Sequence, residues 1–137
     1  MVSIDGLHYD LSPLASYKSN GISNPFIANF TSYLSICDGP ITGSNTTCDG
    51  AYSCEVTGPK PTDYAATLGT HPVLFTIESD TLVGTYSKVL PFIVKVFFLC
   101  QADAGIGQPR LVSIGASQIE YSYQWPSSYG CPVGIVV

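Results

Sequence analysis

The chain has 137 residues, 45% hydrophobic and 11% charged, with ten acidic against five basic side chains for a formal charge of -5. That length supports one domain, residues 1–137, with its own core, and the apolar share excludes intrinsic disorder. Lys18, Lys60, Lys88, Lys95 and Arg110 are scattered singly, so no basic stripe is available to neutralise phosphates, which argues against nucleic acid and anionic lipid as partners.

Met1-Val-Ser-Ile-Asp5 has neither a charged start nor an apolar core, so no signal peptide is expected there and the chain reads as a luminal fragment of something longer. Residues 6–14 alternate apolar and polar side chains and break at Ser12-Pro13, which predicts a short first strand and a turn. Residues 20–25 are a breaker cluster. Phe30-Thr-Ser-Tyr-Leu-Ser-Ile-Cys37 predicts a second strand, and residues 38–45 a loop. Strands are expected at 52–57, at 64–68 and 73–77 on either side of Gly69-Thr-His-Pro72, and at 81–86.

Leu90-Pro-Phe-Ile-Val-Lys-Val-Phe-Phe-Leu-Cys100 is the most apolar run, but Pro91 and Lys95 interrupt it, so no membrane insertion is expected in this segment. A polar, Gly-rich loop at 101–109 leads to a strand at 110–115. Then Tyr121, Tyr123 and Trp125 alternate with Ser122 and Gln124, the period of a strand with one buried face, before a turn that carries Cys131. Residues 133–137 read as a last strand. Both apolar strands end in cysteine, so a Cys100–Cys131 bridge would pin two core strands together. No apolar stripe of helical period runs through the chain, and 13 Gly with 10 Pro would break one. The class is all-β, with nine or ten short strands in a sandwich or flattened barrel.

His8 and Asp10 share a strand face, but two histidines in total, no Cys-x-x-Cys and no nucleophile elbow give no enzyme chemistry, metal site or cofactor. Glu120, Glu78 and Asp80 read as solvated carboxylates without a catalytic role. Five cysteines, with glycosylation sequons at Asn29 and Asn45, point to the secretory pathway. Cys48 and Cys54 flank Asp49-Gly50 and can be bridged if a turn brings them together. Tyrosines on a rigid β scaffold stack on sugar faces or anchor protein partners.

Several of these segments together resemble the mannose 6-phosphate receptor homology domains, the repeats of that family's large receptor among them. Tyr9-Asp-Leu-Ser-Pro-Leu14 is similar to the family's opening motif and Tyr33-Leu-Ser-Ile-Cys37 to the strand ending in its first internal cysteine. Cys48 to Cys54 resembles an extra loop bridge, while Phe97-Phe-Leu-Cys100 and Tyr121-Ser-Tyr-Gln-Trp-Pro-Ser-Ser-Tyr-Gly-Cys131-Pro resemble the two closing cysteine motifs. The resemblance implies a flattened β-barrel of two crossed, mostly antiparallel sheets stabilised by disulfides, in an endosomal, lysosomal or cell-surface receptor. It also implies a Cys48–Cys54 bridge. Cys37, whose usual partner lies upstream of the opening motif, is expected to be unpaired in this fragment.

Two family cysteines have no counterpart, since Ile119 stands at one position and no cysteine lies between Cys54 and Cys100. The sugar site departs further. Family members that bind mannose use a glutamine, an arginine, a glutamate and a tyrosine, which the resemblance matches to Glu55, Phe92, Leu99 and Tyr121. Replacing donors and acceptors in this way leaves mannose hydroxyls unpaired at about 1 to 3 kcal/mol per buried group. The expectation is a degenerate sugar site on a receptor-type module that recognises protein or neighbouring domains of its own receptor. The alternative is a working lectin for mannose-type or phosphomannosyl glycans, rebuilt around Tyr121, Glu55, Arg110 or Lys95.

Overall fold

The computed structural model describes residues 2–4, 6–19, 21–26, 30–36, 40–41, 51–57, 65–88, 93–115 and 120–135. Cys37, Cys48, Phe92, Asn29 and Asn45 lie outside the described residues, and so do the expectations attached to them.

Eleven strands are described: β1 (Val2–Ile4), β2 (Leu7–Tyr9), β3 (Ile22–Ser23), β4 (Phe30–Leu34), β5 (Ser53–Thr57), β6 (Ala65–Glu78), β7 (Thr81–Lys88), β8 (Ile93–Cys100), β9 (Arg110–Ile114), β10 (Glu120–Ser127) and β11 (Gly134–Ile135). They form a flattened, incompletely closed barrel. One sheet has eight strands in the order β3-β4-β5-β6-β7-β8-β10-β9, and a second, small sheet runs β1-β2-β11. All pairings are antiparallel except β8 with β10, which run parallel with Tyr121 opposite Val94 and Ser127 opposite Cys100. β9 provides the crossover between them. It lies on the far side of β10, so the parallel pair sits inside the sheet, where its two apolar strands are best shielded.

The alternating patterns set the core. Val94, Val96 and Phe98 on β8, Tyr121, Tyr123 and Trp125 on β10, and Leu82 and Tyr86 on β7 are buried together with Leu11 and Leu14. Trp125 has no exposed surface; it stacks on Phe98 with centroids 5.9 Å apart and receives the edge of Tyr17 at 5.0 Å. Its Nε1 donates to the carbonyl of Ile106, and Ser127 Oγ donates to that of Gly105, so β10 holds the 101–109 loop against the barrel. Gly107 makes this approach possible: it sits at φ 69°, and a Cβ there would overlap the Pro126 carbonyl oxygen. A disulfide joins Cys100 to Cys131, with Cα atoms 4.4 Å apart. Cys54 is also disulfide-bonded.

Three local expectations are corrected. Residues 65–68, the described part of the strand expected at 64–68, and residues 73–77 belong to one strand, β6; the Gly69 to Pro72 segment expected to separate two strands is a register shift against β7 between Gly69 and Val73. The true hairpin turn is Ser79-Asp80, both at positive φ. After β2 the chain enters a 3-10 helix, Ser12–Ser19, instead of a simple turn. Asp10 Oδ1 accepts from both the backbone N and the Oγ of Ser12, which caps the helix start, and Pro13 supplies a helical φ without needing a donor. Val2–Ile4, where no strand was expected, pairs with β2.

Candidate functional site

Polar side chains inside the barrel converge where β4 and β5 face β10. The register puts Ser32 opposite Glu55 and Leu34 opposite Ser53, so these four side chains share one face. Cys54 and Val56 point the other way, into a smaller cluster with Ile41 and Ala51. β5 is therefore covered on both sides, and Glu55 is only 4% exposed. Across the interior Tyr123 donates its hydroxyl to Ser32 Oγ at 2.7 Å. Tyr121, 6% exposed, lies two residues earlier on the same face of β10. Asn24, just beyond β3, closes the group: its N–H donates to the Phe30 carbonyl and its Oδ1 accepts from Phe26 N, which leaves the amide nitrogen to face Glu55.

The electrostatics follow from this enclosure. Burial pushes the Glu55 carboxyl up to about 7, with the Asn24 side chain pulling the other way. Its Oε2 has no hydrogen-bond partner among the described residues, and neither has Ser53 Oγ. Tyr121 is raised by burial and then by the nearby Glu55 charge; Tyr123 is raised by burial, partly offset by its bond to Ser32. The wall that β9 contributes is apolar: Leu111, fully buried, stands opposite Tyr123.

Of the residues matched to a sugar site, Glu55 and Tyr121 come together in this cluster. Leu99 does not. It lies on the face of β8 opposite to Val94, Val96 and Phe98, and it pairs with Pro126, five rungs from the Tyr121–Val94 pair. The cations considered for a rebuilt site are also elsewhere. Lys95 is on the outer face of β8, 3.6 Å from Glu78, and Arg110 reaches Gln124 Oε1 at 3.5 Å. His8 and Asp10 do not form a pair: His8 Nδ1 is 2.9 Å from Ser3 Oγ, and Asp10 caps the 3-10 helix. No group of three His, Cys, Asp or Glu among the described residues is placed to hold a metal, and no described helix is long and apolar enough to cross a membrane. The sequence reading missed Ser32 and Tyr123, although strand alternation marks both as inward. Asn24, within a breaker cluster, carried no such signal.

A concavity of about 340 Å³ opens at the seam where β3 and β9 approach without pairing, lined by Tyr17, Gly21, Ile22, Ser23, Gln108, Pro109 and Arg110. It is separate from the interior cluster, since Arg110 and Leu111 point to opposite sides of β9.

This fold has counterparts. The chain is 27% identical over 135 residues to the human cation-independent mannose-6-phosphate receptor, a match covering 93% of the chain and 5% of that receptor's length. Its fold matches chicken IGF2R domain 11 with a TM-score of 0.74 and 23% identity, over 98% of this chain and 92% of that one. It is similar to the mannose 6-phosphate receptor homology domains. Domain 11 of the echidna mannose 6-phosphate/IGF2R receptor, a second such homology domain, matches with a TM-score of 0.65 and 20% identity over 90% of this chain and 86% of that one. No family model matches the chain.

Proposed function

We propose that the chain is a non-enzymatic binding module on the luminal or extracellular side of a larger receptor, which recognises protein or supports neighbouring domains and has lost the sugar site of the homology domains it resembles. One observation carries this reading: the position that the resemblance matches to a sugar ligand holds Glu55, a carboxyl group buried to 4% exposure, with no Lys, Arg or His among the described side chains facing it. A phosphomannosyl group brought to this position would find no described cation to balance its phosphate, and would meet like charge once Glu55 ionises as pH rises through about 7. A neutral mannose would find Tyr121 and Tyr123, but also the apolar Leu111 and a Tyr123 proton already given to Ser32.

Residence in the secretory pathway, in an endosomal, lysosomal or cell-surface receptor, is part of the same proposal and is supported by the Cys100–Cys131 bridge. The test is retention on arrays of high-mannose and phosphomannosyl glycans. The oxidised module is expected to be retained on neither. Saturable retention that is lost in Tyr121→Phe would return the lectin reading and overturn this one.

A further inference from the structure

Glu55 stands out among the interior polar groups because its surroundings suit its neutral form. It lies on β5 between two strands, and every described group facing it is uncharged. From β10 come the hydroxyls of Tyr121 and Tyr123, from β4 that of Ser32, from its own strand that of Ser53, and from the end of β3 the amide of Asn24. The Tyr123 proton is committed to Ser32 Oγ. An ionised Glu55 therefore has the Asn24 amide near it, which favours the charged form, but no hydrogen bond described for Oε2. The cations whose side chains are described are placed away from it: Lys95 on the outer face of β8, Arg110 at the seam and His8 on the small sheet.

We propose that Glu55 is a proton-operated lock on the barrel, which holds β3, β4 and β5 most tightly against β10 when its carboxyl is protonated and loosens that junction when it ionises. A protonated carboxyl has one donor to give and leaves no uncompensated charge in the interior; a carboxylate is acceptor only and draws water towards itself. The place where loosening emerges is the corner at residues 24–26, since the Asn24 amide lies near Glu55 and two local hydrogen bonds of Asn24 fix the corner. That corner carries Phe26, 55% exposed. The device runs opposite to common acid denaturation, in which paired carboxylates are lost on protonation. It does not depend on what the module binds.

The direction is fixed by the shift. The carboxyl is raised above its ordinary 4.5 to about 7, so the stabilisation is complete below about 4.5 and is lost as pH rises through about 7. Between pH 5 and pH 8 linkage gives a loss of about 70-fold in the folding equilibrium constant from this one group. The experiment is urea unfolding of the oxidised protein at pH 5 and pH 8 for the wild type and for Glu55→Gln. The wild type is expected to lose about 70-fold more than the variant over that range, whereas equal losses would overturn the proposal. Because Glu55→Gln could fail to fold, the Glu55 side-chain carboxyl is also titrated by carbon-13 NMR in the unmodified protein. A midpoint near 7, with amide shifts at Asn24 and Phe26 following the same curve, supports the lock, and a midpoint below 5 overturns it.

Discussion

Removing one oxygen from the interior tests how the polar cluster is held together. Tyr123→Phe keeps the ring, which is fully buried, and so leaves packing nearly unchanged, but it deprives Ser32 Oγ of the donor 2.7 Å away. Ser32 is only 1% exposed, so water cannot easily substitute. A buried acceptor left unpartnered costs about 1–3 kcal/mol, and removal of the phenolic oxygen returns part of that, so the net loss is about 1–2 kcal/mol. Ser32→Ala alone orphans the Tyr123 hydroxyl at a similar cost. The double variant has neither orphan, and its loss is expected to fall short of the sum by about 1 kcal/mol or more. The assay is urea unfolding at pH 5, where Glu55 is protonated, followed by the fluorescence of Trp125, the single tryptophan of the chain. Additive losses across the cycle would show that the hydroxyls do not depend on each other and would refute the reasoning.

Gly107→Ala should be severely destabilising, by about 3 kcal/mol or more, because φ 69° is unfavourable for alanine and the new Cβ meets the Pro126 carbonyl, a backbone group that cannot swing away. Trp125 fluorescence should report loss of the 101–109 loop contact, and a folded variant within about 1 kcal/mol of wild type would contradict that packing. Replacing Cys100 and Cys131 by serine opens a bridge between residues 31 apart in sequence and is expected to cost about 3–4 kcal/mol in chain entropy, measurable as a fall in the urea midpoint. By contrast Lys95→Ala should change stability by less than about 1 kcal/mol, since its ion pair with Glu78 is long and partly solvated; a larger loss would mean that Lys95 covers buried surface.

The fold was legible where side-chain period and chemistry agreed. Tyr121, Tyr123 and Trp125 announce one buried face of a strand, and the structure places all three in the core opposite the equally legible β8. The parallel sense of that pair was not legible, because alternation fixes a face and says nothing of direction. Gly69 and Pro72 mislead for a different reason: both break local regularity, and a register shift within a long strand uses the same residues as a turn. The candidate site was readable only in part. Glu55 and Tyr121 are brought together by the register of β4 with β5 and the facing of β10, whereas Leu99 was assigned by its place beside a cysteine, and strand parity turns it outwards. Asn24 enters through a turn whose geometry depends on Phe26 and Phe30, contacts that no local pattern encodes.

The measurement that bears most directly on the central claim is a titration of the oxidised module with mannose 6-phosphate and with mannose, followed by proton-nitrogen NMR at pH 6.5. The account predicts no saturable shifts at the amides of Ser32, Glu55, Tyr121 and Tyr123 up to tens of millimolar sugar, a range in which even millimolar affinity is visible. Saturable shifts centred on those four residues would contradict it and would show that the interior still accepts a sugar.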